Sequence, residues 1–391
     1  MPIVNRIAEF QGELTAWRRH LHEHPELGFH EHETAAFVAE KLRSFGCDEV
    51  HTGIAGTGVV AVIRGGEPGR VIGLRADMDA LPIEETTGAA WASRSPGRMH
   101  ACGHDGHTTM LLGAARYLAE TRNFAGTACL IFQPAEEGGG GGRVMIEDGL
   151  FERFPVEQVF GLHNWPSAPL GTFAMCEGPA MAASDELTIE IVGKGCHAAW
   201  PHIGRDPVVA GSLVIQAIQP LVAREVDPID NAVISITRMQ GGDAYNVVPE
   251  RVELWGTIRT FREDTRDRLI RRLDEIVQGI GLAQGVTGRL RISAGYPATI
   301  NNAREAALGA EVAAEIVGEA KVDRAPTPCM GSEDFAFMLR HRPGSYIWMG
   351  TGGDGRRHQL HSPHYDFNDE ALPLGVSYWA RLVERLLPAR A

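Results

Sequence analysis

The chain has 391 residues, 44% of them hydrophobic, a composition typical of a globular protein, and its length suggests about two or three domains. The formal net charge of -13 argues against nucleic acid and anionic membranes as partners, because both bind basic surfaces. No apolar signal core opens the chain, and no uninterrupted apolar run approaches membrane-spanning length. We therefore expect a cytoplasmic protein.

Apolar residues at helical spacing open the chain between Ile7 and Leu21, and the pattern returns over 34–45 before a glycine ends it. Strand-like runs and helical runs then alternate. The strands are predicted at 59–63, 71–74, 128–132 and 159–162, with a helix over about 106–120. This alternation predicts an α/β architecture around a mostly buried sheet, with ligand-bearing loops at the carboxyl ends of the strands.

The pattern changes near Asp185. A strand over 187–191 precedes a helix that Asp206 and Pro207 begin, and the elements after it are strands at 232–239 and 251–261, a helix from about 264 and a strand at 289–294. The order β-α-β-β-α-β predicts a ferredoxin-like domain. We expect this domain, residues 184–296, to be inserted into a catalytic α/β domain formed by residues 1–183 and 297–391.

The six cysteines are scattered without a Cys-x-x-Cys pair, which disfavours a disulfide framework and a structural zinc finger, so reduced thiols are expected. The sixteen histidines lie largely in short clusters with Asp, Glu or Cys. In the segment 99–107, Cys102 and His104 flank a glycine just before the predicted helix. Such a thiolate and imidazole can face one ion, and both are good zinc ligands. The alternative is a polar helix start with solvated histidines.

Further acidic and histidine side chains follow the other predicted strands. Glu136 and Glu137 are adjacent, and their carboxylates repel each other unless a cation or a shared proton relieves the repulsion. A solvated acidic turn is the alternative explanation of the same pair. His163 ends an apolar run and by itself is more often a core histidine. Either His361 or His364 could bind a metal ion. Asp77 and Asp79 could bind metal or accept a hydrogen bond from a ligand histidine. The candidate site residues of this paragraph are therefore those at 77, 79, 136, 137, 163, 361 and 364.

These motifs, in this order, resemble the M20 family of metallo-aminoacylases and carboxypeptidases, in particular its branch of hippurate hydrolases, N-acyl amino acid amidohydrolases and indole-acetyl-amino-acid hydrolases. The resemblance implies two divalent ions, with Zn²⁺ expected from the thiolate and Mn²⁺, Ni²⁺ or Co²⁺ as alternatives. It also implies that the insert is a lid used for dimerisation, and hence a homo-oligomer, either a dimer or a tetramer. The implied metal ligands are Cys102, His104, Glu137, His163 and His361.

The resemblance further implies that Glu136 is the general base and Asp79 an orienting aspartate. The wider family has His-x-Asp where this chain has Asp77-x-Asp79, so the role of Asp77 stays open. In the insert, the implied roles are stabilisation of the oxyanion by His197, commonly from the partner subunit, and contact with the substrate carboxylate by Asn246 and Arg259. From the residues alone, His197 is better explained as a surface histidine, and Arg259 fits a salt bridge equally well.

We therefore expect metal-dependent hydrolysis of the amide bond of N-acyl amino acids, small molecules similar to hippurate, to a carboxylic acid and a free amino acid. A metallo-dipeptidase or carboxypeptidase is the alternative. A zinc deaminase is disfavoured because no Pro-Cys-x-x-Cys is present, and a serine hydrolase because no Gly-x-Ser-x-Gly is present. A non-catalytic metal-dependent binding protein would not need a base such as Glu136.

Overall fold

The computed structural model describes residues 5–353 and 358–389. The strands, in chain order, are β1 (Glu49–Ile54), β2 (Gly58–Arg64), β3 (Glu67–Asp77), β4 (Ala125–Gln133), β5 (Gln158–Pro169), β6 (Phe173–Ala174), β7 (Gly178–Met181), β8 (Ala183–Val192), β9 (Cys196–His197), β10 (Ala232–Gln240), β11 (Val247–Val248), β12 (Arg251–Thr260), β13 (Thr287–Ala294), β14 (Thr299–Asn301), β15 (Val322–Asp323) and β16 (Gly344–Gly352).

The helices are α1 (Asn5–Ala8), α2 (Gln11–Glu23), α3 (His32–Ser44), α4 (His104–Thr121), α5 (Gly141–Glu147), α6 (Leu150–Arg153), α7 (Pro207–Pro220), α8 (Glu263–Gln284), α9 (Ala303–Val317), α10 (Phe335–His341) and α11 (Leu372–Leu386). The opening helix predicted from apolar spacing is interrupted, since α1 ends at Ala8 and α2 begins at Gln11.

The described residues form two compact units. Unit 1 contains the chain up to Ala180, Ile300–Thr327 and the chain from Asp334 onward; unit 2 contains Met181–Thr299 and Pro328–Glu333. Residues 328–333 fall in the predicted catalytic domain, 297–391. These residues instead pack in unit 2, because the backbone N–H of Ala182 donates to the carbonyls of Cys329, at 3.0 Å, and Gly331, at 2.9 Å.

Unit 1 is built on an eight-stranded sheet in the order β1-β2-β4-β3-β5-β16-β6-β15. The neighbours β4, β3, β5 and β16 run parallel to one another. Asp77 at the end of β3 is in register with Gln133 at the end of β4, and Arg75 with Gly161 in β5. The carboxyl ends of the parallel strands therefore meet at one edge, as expected for an α/β sheet. Helix α4 packs against α2, α11 and β3.

Unit 2 has its own sheet, in the order β13-β8-β12-β10, with every neighbouring pair antiparallel. This order confirms the ferredoxin-like topology, and α7 and α8 pack against the sheet to form a separate core. Asp206 caps α7 as predicted, since its carboxylate accepts from the backbone N–H groups of Val208 and Val209. The short pairing of β9 with β11 was not predicted.

One helical stretch in the described part of the chain, Pro207–Glu225, is long and apolar enough by length and composition to cross a membrane. Its buried residues include Ala210, Val214 and Ile218, which belong to the core of unit 2. Packing within this core accounts for part of its apolar composition.

Candidate metal centre

The Cys102–His104 pair lies in a tight turn that leads into α4. Gly103, between the two, has φ +92°, in the left-handed region that favours glycine. A Cβ atom at this position would lie 2.5 Å from the side-chain oxygen of Asn164 and 2.9 Å from the hydroxyl of Tyr365. The turn therefore requires glycine, for its backbone angle and for the space around it.

Cys102, His104 and His163 form a buried cluster whose ligand atoms all lie within 4.8 Å of one another. The Cys102 Sγ lies 3.4 Å from His163 Nε2. His163 Nδ1 donates to the carbonyl of Asn164 at 2.8 Å, and His104 Nδ1 donates to the carbonyl of Asp79 at 2.9 Å. Because a carbonyl oxygen holds each Nδ1, Nε2 is the nitrogen of each ring that can bind an ion, and an ion bound there would displace any proton on it.

Glu137 and His361 complete the set of predicted ligands. The ligand atoms of Glu137, His361 and Cys102 lie within 4.8 Å of one another, and His361 Nε2 is 3.2 Å from Glu137 Oε1. The His361 backbone N–H donates to the carbonyl of Ala101 at 2.8 Å, which ties this loop to the Cys102 turn. The structure thus brings the five predicted ligands together within unit 1.

Glu136 lies in the same turn as Glu137. One oxygen of each carboxylate and a ring nitrogen of His104 all lie within 4.8 Å of one another. The turn begins at Ala135, whose φ of +51° is unusual for a residue other than glycine. The buried carboxylate of Glu31 holds the turn by accepting the Ala135 backbone N–H at 2.8 Å. Burial raises the pKa of Glu31.

Asp79 connects the two ligand segments. One carboxylate oxygen lies 3.1 Å from His104 Nδ1, and the other accepts the backbone N–H of Glu137 at 2.8 Å. Asp79 is almost completely buried. Its contacts fit an orienting residue, because they restrain one ligand through its ring and another through its backbone.

Asp77 contacts basic side chains. Arg75 Nη1 donates to one of its oxygens and His107 Nδ1 to the other, each at 2.6 Å. Burial favours the neutral acid, but His104, Arg75 and His107 outweigh it and hold the pKa of Asp77 well below its usual range. The ligand atoms of Asp77, His104 and His107 also lie within 4.8 Å of one another.

The electrostatics of the cluster fit a bound cation. Burial raises the pKa of the Cys102 thiol, and the carboxylates of Glu137 and Glu136 add to that effect. Burial opposes protonation of His104, yet Asp77 and Asp79 raise its pKa to about 10. Among the described residues, His104 Nε2 is buried without a hydrogen-bond partner. A divalent ion would satisfy this nitrogen and stabilise the thiolate, and the thiolate, imidazole and carboxylate donors suit Zn²⁺.

Two buried residues of this region, Glu31 and Asn164, are not among the site residues predicted from the sequence. Glu31, which supports the Ala135 turn, carries no signal in its sequence context. Asn164 directly follows His163, and its side-chain amide lies between His107 and Tyr365. Adjacency to a candidate ligand was the available signal for Asn164, but the partners of a side chain become known only from the fold.

His197, Asn246 and Arg259 all belong to unit 2. His197 and Asn246 are exposed and lie close together, because β9 pairs with β11 and the Ala198 N–H donates to the carbonyl of Asn246 at 2.9 Å. Arg259 is half-buried on β12, and its Nη1 donates to the Ser332 hydroxyl at 3.1 Å. Their roles in binding or catalysis stay predictions.

The chain is similar to known proteins in sequence and in fold. A model of Peptidase family M20/M25/M40 matches residues 73–385. A hippurate hydrolase from Campylobacter jejuni is 42% identical over 387 residues, which cover 99% of this chain and 100% of that protein. An N-acetyl-L-cysteine deacetylase from Bacillus subtilis is 40% identical over 383 residues, covering 97% and 90%. A solved dinuclear metal-binding peptidase of the M20 family, also from Bacillus subtilis, gives a TM-score of 0.85 at 36% identity, covering 97% of this chain and 99% of the other.

Proposed function

Because this chain belongs to peptidase family M20/M25/M40, we propose that it hydrolyses the amide bond of N-acyl amino acids, releasing a carboxylic acid and a free amino acid. The observation that carries this proposal is the cluster of five metal-ligating side chains with Glu136 beside them in unit 1. The relatives named hippurate hydrolase and N-acetyl-L-cysteine deacetylase support N-acyl amino acids as the substrate class.

The proposed cofactor is a pair of divalent ions held by Cys102, His104, Glu137, His163 and His361. When bound, such ions lower the pKa of water and polarise the amide carbonyl. We propose Zn²⁺ because one donor is a thiolate, with Mn²⁺, Ni²⁺ or Co²⁺ as the alternatives.

Glu136 is the proposed general base. Its carboxylate receives a proton from the attacking water and returns it to the leaving amine nitrogen. Asp79 has an orienting role, since it accepts from the His104 ring and from the Glu137 backbone. No covalent acyl-enzyme is needed in this scheme, because water itself attacks.

Unit 2 is the proposed lid and dimerisation domain of a dimer or tetramer. The imidazole of His197 would donate to the oxyanion in the transition state, from the partner subunit as is common in the family. Asn246 and Arg259 would bind the free carboxylate of the substrate, a task for which the forked donors of arginine are suited. A cytoplasmic location is also proposed, in keeping with six cysteines that are all free thiols.

The decisive experiment compares Glu136→Gln with Glu137→Gln, adjacent carboxamide substitutions in one turn. We expect Glu136→Gln to retain both ions and to lose about 10²- to 10⁴-fold in kcat on hippurate, because it removes the base. Glu137→Gln should lose bound metal, because it removes a ligand. Metal content is measured by elemental analysis and hydrolysis by release of the free amino acid.

The substrate panel separates the proposed function from its rival. Hippurate and N-acetyl amino acids should be hydrolysed in a chelator-sensitive reaction, whereas a metallo-dipeptidase or carboxypeptidase would prefer unblocked dipeptides or longer peptides. Activity of Glu136→Gln equal to that of the parent protein would contradict the mechanism. Hydrolysis that survives complete metal removal would contradict the metal dependence.

A further inference from the structure

A continuous chain of polar contacts lies beside the candidate metal centre. Arg75 donates to Asp77 at 2.6 Å, and the other oxygen of Asp77 accepts from His107 Nδ1 at 2.6 Å. The second ring nitrogen of His107, Nε2, lies 2.7 Å from Asn164 Oδ1 and 3.1 Å from the Asn164 backbone nitrogen. Both ring nitrogens of His107 are therefore engaged by Asp77 and Asn164.

The chain ends at the candidate ligand His163. The Asn164 carbonyl accepts the Nδ1 proton of His163 at 2.8 Å, so the position of Asn164 determines the direction of His163 Nε2. The Asn164 amide is held on its other side by the Tyr365 hydroxyl, at 2.7 Å. The rings of His107 and His163 also touch edge to face, with centroids 4.5 Å apart.

Burial makes this arrangement rigid. Asp77 and Asn164 are fully buried, His107 and Tyr365 are each 2% exposed, and water cannot readily replace a lost contact. Breaking one contact therefore leaves a buried polar group without a partner, at a cost that favours keeping the whole chain in place.

We propose that Asp77, His107 and Asn164 are positioning residues that act as one unit to fix the His163 imidazole and thereby set the affinity of the centre for divalent ions. The inference rests on the proposed function only in taking His163 as a ligand. It assigns Asp77 a role other than direct ligation, because Arg75 and His107 already engage its two oxygens.

The test measures the dissociation constant of Zn²⁺ by competition with a chromogenic chelator in His107→Gln, Asn164→Ala and the double variant. Each single variant should bind Zn²⁺ about 10- to 100-fold more weakly, as is usual when a group that orients a ligand is lost. The double variant should be no weaker than the weaker single variant, because both substitutions interrupt one chain. Two effects that multiply would overturn the proposal.

His100→Gln is the matched control. His100 is 1% exposed and lies in the same segment, and among the described residues neither of its ring nitrogens has a hydrogen-bond partner. This substitution should lower the free energy of unfolding but change Zn²⁺ affinity by less than about twofold, the usual limit for uncoupled sites. Equal weakening in His100→Gln and His107→Gln would reduce the role of His107 to general packing and overturn the inference.

Asp77→Asn is the alternative variant if His107→Gln does not fold. It preserves the shape of the side chain, and it should weaken Zn²⁺ binding without adding to the effect of Asn164→Ala. Multiplicative effects of Asp77→Asn and Asn164→Ala would instead indicate a direct ligand and overturn the proposal. Hydrolysis of hippurate is assayed separately, so that inactivity of the parent protein would count against the proposed function alone.

Discussion

His22 lies in the interior of unit 1 between two carboxylates. It is fully buried, and its ring nitrogens lie 2.8 Å from a carboxylate oxygen of Asp105 and 3.4 Å from one of Glu85. Burial opposes protonation, but the hydrogen bonds to Asp105 and Glu85 outweigh it and raise the pKa of His22 to about 9. A charged His22 forms an ion pair with Asp105, which lies in the first turn of α4 next to the candidate ligand His104, and this pair contributes to stability.

His22→Gln should therefore have an effect on stability that depends on pH. Because the folded pKa is raised, the contribution of His22 is fully present below its unfolded pKa of about 6.5 and is lost as the pH rises through about 9. We expect the variant to be less stable than the parent near pH 6.5, with a difference that shrinks toward pH 9. Urea unfolding of the metal-free proteins across this range measures it.

His100→Gln supplies the control for this prediction too. Burial lowers the pKa of His100 to about 4, so this histidine is neutral in the folded protein throughout the same range. Its replacement should change the free energy of unfolding by an amount that hardly varies between the two pH values. A His22→Gln difference that is equally flat would show that His22 is not charged.

The turn at Gly103 allows Cys102, just before α4, and His104, at its start, to face one ion. Gly103→Ala should destabilise the protein, because the left-handed backbone costs about 1–2 kcal/mol for alanine and the new Cβ would lie 2.5 Å from the Asn164 side chain. It should also weaken Zn²⁺ binding, because Cys102 and His104 would be displaced. Urea unfolding of the metal-free protein and chelator competition measure the two effects.

Gly46→Ala is the matched control for the turn. Gly46 has a similar backbone angle, φ +78°, but a Cβ there would meet no atom within 4 Å. It should show the backbone strain alone, with unchanged Zn²⁺ affinity. Equal stability loss in the two variants, with no change in metal binding, would contradict the role of close packing at Gly103.

Each of the two units that the described residues form has its own hydrophobic core, and the candidate ligands belong to unit 1. An ion that binds the folded state stabilises the unit that holds it by mass action. We expect Zn²⁺ to raise the unfolding temperature of unit 1 and to leave the unfolding temperature of unit 2 unchanged. Differential scanning calorimetry with Zn²⁺ and with chelator measures both transitions.

Core substitutions identify the transitions. Leu273→Ala in unit 2 and Leu111→Ala in unit 1 remove side chains that are both 0% exposed, and each should cost about 2–5 kcal/mol. Leu273→Ala should lower the transition that Zn²⁺ does not shift, and Leu111→Ala the one that it does. One transition that responds equally to both substitutions and to Zn²⁺ would contradict independent units.

The element pattern was largely determined by the sequence alone. The strands of the insert were predicted in order. In β8 and β12, buried residues alternate with more exposed ones, because each of these strands packs one face against α7. The run before His163 predicted a strand, but β5 continues to Pro169 because its end pairs with β16, a partner that is distant in sequence. The two-residue pairing of β9 with β11 is too short to leave a periodic signal.

Some candidate ligands are recognisable from the sequence, whereas others are brought together only by the fold. Cys102 with His104 was recognisable from the residues themselves, because a thiolate and an imidazole two residues apart suit one ion. His163 and His361 were predicted as ligands mainly through the resemblance, and only the fold brings them to Cys102, since they come from segments far apart in sequence. Residue types and local periods are properties of the chain, whereas the partners of Asp77 and Asn164 depend on which strands become neighbours. The tertiary structure decides which strands become neighbours, because strand pairing depends on contacts between residues that are distant in sequence.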